Sequence, residues 1–256
     1  MRRESVGAGG RSSAGGRRRA RTALMAALAV GVALAASAVP APSRAQAPVP
    51  VLLVPGWFDS ARDLAALRIH LLGAGWPESH VRAVTFVEPT GSNRDHADEL
   101  EAVVDSLLAE TGADRVDIVA HSMGGLATRW YLLTRPDAPV RRAVFIASPH
   151  RGTLSAYLAW GGGREEMMPD SPLLDSLNTE APVPAGVEAI TVRTLVDTHI
   201  VPGESATLPG VPDYPLCCPT HAGLLKDVDV LGIVRSWLEH GRVDRQSLGV
   251  GVRGGG

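Results

Sequence analysis

The sequence is poor in cysteine and in aromatic residues, and each shortage excludes a class of protein. Two cysteines in 256 residues are too few for a disulfide scaffold or for a zinc or iron–sulfur centre with cysteine ligands. Three Phe, five Trp and three Tyr leave the core to Ala, Val, Leu and Ile. Because apolar residues still make up 45% of the chain and charged residues only 20%, an intrinsically disordered protein is also excluded.

Residues 1–47 are typical of a secretory signal peptide followed by a linker. Four arginines between positions 17 and 21 precede the uncharged stretch 22–39, which is mostly Ala, Leu and Val. A basic stretch followed by apolar and then small residues indicates export, so we expect a secreted protein. Cleavage after Ala38 or after Ala47 fits the pattern, and a retained membrane anchor is the alternative interpretation.

The charge of the rest of the chain argues against polyanionic partners. Residues 1–47 contain eight Arg and one Glu, so removing their net +7 changes the formal charge from −2 to −9. An acidic exported protein is poorly suited to nucleic acids or anionic lipid head groups. We therefore expect no nucleic-acid partner, and no feature predicts a stable protein partner.

Strand and helix patterns alternate along the chain and predict an α/β fold. Runs such as Val51–Val54, apolar at every position, indicate strands buried on both faces of a parallel sheet. The predicted strands are Val51–Val54, Val81–Val87, Arg115–Ala120, Val140–Ala147, Glu188–Val196 and Tyr214–Cys218. Helical spacing is seen in Leu64–Leu71, Asp98–Leu108, Met123–Thr134 and Val230–Leu238. This alternation predicts a mostly parallel sheet with helices on both faces.

The alternation lapses over residues 149–186, which are too long for an ordinary connection and indicate a lid-like insertion. We therefore divide the chain into the export segment 1–47, a catalytic domain 48–241 that contains the insertion, and a Gly-rich flexible tail 242–256. The adjacent Cys217 and Cys218 are interpreted as two small apolar residues at a strand end. A strained bridge between them is the alternative.

The strongest functional signal is the run Ala120-His121-Ser122-Met123-Gly124-Gly125. It follows a predicted strand and opens a predicted helix, which is the context of a tight turn that presents a nucleophile. Small residues two before and two after the serine, Ala120 and Gly124, are what such a turn requires. Ser122 is the predicted nucleophile, although a serine that only caps the helix would occupy the same position.

A serine nucleophile needs a base and an acid, which in this kind of fold follow it in the order acid, then histidine. His221 lies in a loop between the last predicted strand and helix, at the functional edge of the sheet, unlike His240 at the far end of the final helix. Asp197 ends the preceding strand and is the predicted acid, with Asp213 as the alternative. The predicted oxyanion donors are the backbone amides of Met123 and of Trp57, which follows the turn after the first strand.

These segments resemble the small secreted bacterial lipases of the α/β-hydrolase superfamily, often called lipase class 2. The resemblance rests on residues 51–57, on Gly75-Trp76, on residues 110–113 and on residues 116–125, and is good over 49–147. Val196-Asp197 and residues 221–225 are similar to the acid and histidine segments of the family. The resemblance implies a triad of Ser122, Asp197 and His221 with oxyanion donors at Trp57 and Met123. The first loop here reads Pro55-Gly56 where the family has His-Gly.

The resemblance also implies hydrolysis of carboxylic esters, often triacylglycerols, without a cofactor. Structural calcium occurs in related folds, but no dense carboxylate cluster in this sequence predicts a metal site. A short-chain esterase, an acyltransferase or a polyester depolymerase would share this machinery, and a non-catalytic secreted binding protein is a more distant alternative. Apolar residues of the insertion are expected to cover an acyl site and to contact a lipid–water interface transiently. The cover is predicted to contain Leu154, Tyr157, Leu158, Trp160, Met167 and Met168. The alternative is that these residues complete an ordinary core. The predicted substrate-binding residues are Phe58, Trp160, Met167 and Met168.

Overall fold

The computed structural model describes residues 47–179 and 181–243, so the predicted export segment and most of the predicted tail lie outside the described residues. The strands are β1 (Val51–Val54), β2 (Val81–Ala83), β3 (Val116–His121), β4 (Val140–Ile146), β5 (Glu188–Thr194) and β6 (Asp213–Leu216). The helices are α1 (Ala65–Gly73), α2 (Asn93–Thr111), α3 (Gly124–Thr134), α4 (Gly162–Met167), α5 (Pro172–Asn178) and α6 (Val228–His240). No helix within these two ranges is long and apolar enough to span a bilayer.

The six strands form one sheet in the order β2-β1-β3-β4-β5-β6, and every neighbouring pair is parallel. The parallel sheet predicted from the alternation is thus confirmed. The first strand of the sheet is β1. The next strand, β2, pairs on one side of it, and β3 then pairs on the other side. This reversal opens a crevice at the carboxyl ends of β1 and β3, which is where ligands bind in open α/β sheets.

Strand β1 shows why the central strands are apolar at every position. Val51 and Leu53 pack in the core layer that contains α1 and α6, whereas Leu52 and Val54 pack in the opposite layer with α2 and α3. All four side chains are fully buried. Since side chains alternate between the two faces of a strand, a sheet covered on both faces needs apolar residues at odd and at even positions.

The second strand is shorter than predicted. The sequence predicts a strand over Val81–Val87, but β2 ends at Ala83, and within residues 84–87 one further backbone bond joins it to β1, from Val84 N to Leu53 O at 2.9 Å. Val84 and Phe86 instead enter the core layer beneath α2, where the Phe86 ring stacks on His96 with centroids 3.8 Å apart. Their apolar character therefore reflects packing against a helix rather than pairing in the sheet.

The insertion has a small core of its own. Apolar residues of α4 and α5 pack against Met123 and Leu126 at the start of α3, together with Ala156. The carboxylate of Glu166 on α4 accepts hydrogen bonds from Ser92 Oγ and from the amide of Asn93, both at the start of α2. The insertion is thus fastened to two helices that flank the crevice.

The last strand also differs from its predicted bounds. It covers Asp213–Leu216 rather than Tyr214–Cys218, so the two cysteines lie beyond it and are exposed. They are joined to each other by a disulfide, which corresponds to the alternative interpretation of this pair.

Candidate active site

Ser122 stands at a sharp turn between β3 and α3. Its φ of 51° lies in the left-handed region that a non-glycine residue rarely adopts. Its amide donates to Ile146 O at 2.8 Å, and its carbonyl accepts from Gly125 N at 3.0 Å. These bonds hold the strained turn, and strain of this kind is concentrated at functional sites.

The turn has room only for glycine behind the serine. A Cβ on Gly124 would lie 2.3 Å from Pro55 O, and a Cβ on Gly125 would lie 2.1 Å from Ser148 Oγ. Both separations are well below van der Waals contact, so α3 could not approach β1 and β4 with larger residues. Ala120, two residues before the serine, is fully buried in the sheet.

The predicted base and acid are hydrogen-bonded to each other. His221 Nδ1 lies 2.9 Å from Asp197 Oδ2, and because a carboxylate only accepts, the proton sits on Nδ1 and leaves Nε2 free as a base. The second oxygen of Asp197 accepts from the amides of His199 and Ile200, at 2.8 and 2.9 Å. Three donors thus orient the acid at the end of β5.

The surroundings of this pair favour an ionised acid and a neutral base. Burial alone would raise the pKa of Asp197, but the hydrogen bond from His221 and the two backbone amides lower it overall. Burial lowers the pKa of His221 below the ordinary 6.5, although the hydrogen bond to Asp197 opposes this. His221 is therefore neutral at neutral pH, as a general base must be.

Ser122 and His221 open onto the same cavity, which has a volume of about 550 Å³. Within the described part of the chain no hydrogen bond joins Ser122 Oγ to the His221 ring. A contact of this kind commonly tightens only in the complex with substrate. The predicted alternative acid lies elsewhere, since Asp213, at the start of β6, pairs with Arg193 at 2.9 Å.

The loop after β1 brings Trp57, the first predicted oxyanion donor, beside the predicted nucleophile Ser122. Val54 is paired with Ala120 in the sheet, so the residues that follow them lie side by side, and a Cβ on Gly56 would lie 2.9 Å from Ser122 Cβ. Among the described residues, the amides of Trp57 and Met123 donate no backbone hydrogen bond. Two amides next to one nucleophile can stabilise a developing oxyanion.

Aromatic side chains form one wall of the cavity. Trp57 and Trp160 lie with ring centroids 4.4 Å apart, and the Trp57 indole donates to Trp160 O at 3.0 Å. Phe58, Leu158 and Met167 also line the cavity. Of the predicted substrate-binding residues, Met168 is placed differently, because it packs against the small core of the insertion and does not line the cavity.

The structure adds residues that the sequence pattern did not single out. The His199 ring stacks on His221 with centroids 4.7 Å apart, and Asp59 Oδ2 lies 3.4 Å from His121 Nδ1 beneath the site. Within the described ranges, Asp197, His199 and His221 also form a group whose metal-ligating atoms lie within 4.8 Å of one another. Two of these three are the hydrogen-bonded pair, so the same proximity serves the base and its acid.

A strained serine just after β3, with a hydrogen-bonded Asp–His pair from the loops after β5 and β6, is the arrangement expected of an α/β hydrolase. Residues 49–184, just over half of the chain, match the family described as alpha/beta hydrolase fold. The chain therefore belongs to the α/β-hydrolase family.

Similar proteins include curated lipases. A triacylglycerol lipase of Vibrio cholerae serotype O1 is 34% identical over 117 residues, which are 44% of this chain and 36% of that protein. A triacylglycerol lipase of Burkholderia plantarii is 33% identical over 81 residues, which are 30% of this chain and 22% of that protein. The matched segments thus span about a third or less of these relatives.

Solved structures show the same fold. Aspergillus fumigatus lipase B superposes with a TM-score of 0.66 at 20% identity, covering 79% of this chain and 58% of the lipase. The mature form of Bacillus licheniformis lipase BlEst2 superposes with a TM-score of 0.65 at 14% identity, covering 78% of this chain and 95% of that chain. At these identities the likeness concerns the fold alone.

The first prediction concerns the close packing of Gly124 behind Ser122. Gly124→Ala should lower the free energy of unfolding by about 1–3 kcal/mol, because the added methyl meets the carbonyl of Pro55. Gly73→Ala, at the end of α1 where nothing lies within 4 Å of a new Cβ, is the matched control and should leave stability unchanged or slightly raised. Urea unfolding measures both, and equal stability of the two variants would contradict the close approach.

Proposed function

We propose that the protein is a secreted serine hydrolase that cleaves carboxylic esters of lipids, as a triacylglycerol lipase or carboxylesterase, through an acyl-enzyme on Ser122. The observation that carries the proposal is the 2.9 Å hydrogen bond between His221 and Asp197 at the cavity that contains Ser122. The names of the curated relatives support a lipid ester as substrate. The basic and apolar stretches within residues 1–47 support export.

The proposed reaction has two halves. In the first, His221 Nε2 takes the proton of Ser122 Oγ while Oγ attacks the ester carbonyl carbon, and the same proton then leaves with the alcohol. In the second, His221 deprotonates water, the water attacks the acyl-enzyme, and the acid product leaves as Ser122 regains its proton. Asp197 stabilises the imidazolium in both halves, and the amides of Trp57 and Met123 face the oxyanion.

The cavity favours an acyl chain over a polar substrate. Its wall carries indole, phenyl and thioether groups, which adapt to a flexible chain through dispersion contacts. Three of the residues that line it, Phe58, Leu158 and Trp160, expose between 55% and 88% of their surface, and Tyr157, next to Leu158 in the sequence, is 58% exposed. Apolar side chains exposed together are unusual on a monomer and indicate a docking surface, here for the lipid–water interface.

Short-chain esterase, acyltransferase and polyester depolymerase activities remain the alternatives, because all use this acid–base pair and nucleophile. A panel of nitrophenyl esters of increasing chain length, tested beside emulsified triacylglycerol and a polyester film, separates them. Preference for long chains and emulsion supports a lipase.

Removal of the nucleophile tests the proposal directly. Ser122→Ala should lower kcat for a nitrophenyl ester by several orders of magnitude, on the scale of about 10⁶ reported for loss of a triad serine. Ser176→Ala, on the exposed side of α5, is a matched control and should retain full activity. A Ser122→Ala enzyme with even a tenth of the wild-type rate would contradict the assignment.

The acid limb of the pH profile is the next prediction. The base works only when His221 is neutral, so kcat/KM should rise with pH through an apparent pKa below 6.5, the ordinary histidine value, because burial lowers it. Initial rates with a soluble ester between pH 4 and pH 9 measure the limb. A midpoint clearly above 6.5 would contradict the neutral, buried base.

The exposed rim predicts a difference between soluble and aggregated substrates. Leu158→Ser should lower activity on emulsified triacylglycerol roughly tenfold, because one buried leucine contributes about 1.5–3 kcal/mol at an apolar interface. The same variant should retain its rate on a soluble short-chain ester. Ile69→Ser, equally apolar and 67% exposed on α1 away from the cavity, is the control. Equal effects at positions 69 and 158 would exclude a specific rim.

A further inference from the structure

The acid of the proposed triad stands on a loop that is exposed on both sides of Asp197, although Leu195 N donates to Leu216 O at 2.9 Å and Ile200 is buried in the core. After β5 ends at Thr194, the side chains of Leu195 and Val196 are 60% and 47% exposed, and Thr198 and His199 are exposed as well. Asp197 shapes this loop from within through its bonds to the amides of His199 and Ile200. Those bonds fix the form of the turn but do not fix its position relative to His221.

The first turn of the insertion holds this loop from outside. Thr153 Oγ1 donates to His199 O at 2.7 Å and accepts from Val201 N at 2.9 Å. Ser155 Oγ donates to the same carbonyl of His199 at 2.6 Å, and the amide of Leu154 donates to Val201 O at 2.9 Å. Four hydrogen bonds therefore join residues 153–155 to residues 199–201, directly after the acid.

The anchor itself is rigid and buried. Thr153 is 3% exposed, and its amide donates to Met167 O at 2.8 Å, at the end of α4. The carbonyl of Gly152, just before it, accepts from Ser205 Oγ. Gly152 also has a φ of 83°, and a Cβ there would lie 2.7 Å from the backbone of Pro169. A hydroxyl held this firmly can fix the loop that it binds.

We propose that Thr153, assisted by Ser155, is a positioning residue that holds the loop of Asp197 at hydrogen-bonding distance from His221. The first residues of the insertion would then be a fixed support of the active site. This inference rests on the proposed function, since it assigns a role within the same triad. Thr153 lies in the wall of the cavity, but its side chain bonds to the loop of Asp197, so its proposed effect on the reaction is exerted through that loop. The part of the insertion that could move is thereby confined to the exposed residues beyond Ser155.

The proposal predicts a change in the base as well as in the rate. The ionisable groups that face His221 are Asp197 and His199 on the acid loop, His121 on β3 and Asp59 on the loop after β1. Among these, Asp197 is the one hydrogen-bonded to His221, and it raises the pKa of His221. If the acid loop loosens, this contribution is lost, and the pKa of His221 falls further below 6.5.

The matched pair Thr153→Val and Thr153→Ser tests the proposal. Valine keeps the shape of threonine without the hydroxyl, so kcat on a soluble short-chain ester should fall between about ten- and a hundredfold, the scale of a misplaced catalytic group. KM should stay unchanged, and the acid limb should move to lower pH. Thr153→Ser, which keeps the hydroxyl, should restore both kcat and the acid limb to near wild-type values.

Two outcomes of this comparison between Thr153→Val and Thr153→Ser would overturn the proposal. One is a Thr153→Val enzyme with wild-type kcat and an unmoved acid limb. The other is an equal loss in Thr153→Ser and Thr153→Val, which would assign the effect to packing rather than to the hydroxyl. Should Thr153→Val fail to fold in thermal unfolding, Ser155→Ala removes one donor at a half-exposed position and should show the same changes at smaller size. Wild-type behaviour of Ser155→Ala in that case also overturns the proposal.

A titration that needs no turnover separates this proposal from the proposed function. In Ser122→Ala protein, the NMR titration of the His221 ring should give a lower pKa when Thr153→Val is added and no change when Thr153→Ser is added. If Ser122→Ala retains activity, the proposed function fails, and the titration still decides whether Thr153 positions the acid loop. An unchanged pKa of His221 when Thr153→Val is added contradicts the proposed positioning role of Thr153.

Discussion

The hydrogen bond between His221 and Asp197 is the contact on which the proposed chemistry of this molecule depends. The two residues are 24 positions apart and stand on separate loops, after β5 and after β6. They meet because neighbouring parallel strands end at the same edge of the sheet. Formation of this pair therefore requires the sheet order, and the sheet order in turn requires the two apolar layers that cover it.

The predicted nucleophile, Ser122, is subject to a different constraint, because the backbone that follows it has no room for side chains. Ser122 adopts a left-handed backbone conformation, and the two glycines after it let α3 lie against β1 and β4. The order of strands also sets β1 beside β3, so the loop with Trp57 lies next to the serine. One close approach thus positions both the predicted nucleophile and a predicted donor for the oxyanion.

Much of this arrangement could be predicted because its signals are local. The Ser122 turn is encoded by six consecutive residues, 120–125. The parallel sheet follows from apolar runs that alternate with segments of helical periodicity. Val84 and Phe86 misled the strand prediction, because an apolar residue that packs under a helix looks like one that pairs in a sheet. The contacts of Thr153 with the acid loop join residues more than 40 positions apart, and polar side chains in loops carry no periodic signal. Met168 was misplaced for a related reason, since methionine suits both an acyl site and a small core.

Identification of the residue that carries the acyl group tests the central claim most directly. The wild-type protein would be treated with an alkyl organophosphonate ester, digested, and mapped by mass spectrometry, with acid-inhibited protein at low pH as the control. The account predicts a single stoichiometric adduct on Ser122, suppressed when His221 is protonated. An adduct on another residue, or no adduct in protein that hydrolyses esters at full rate, would contradict it.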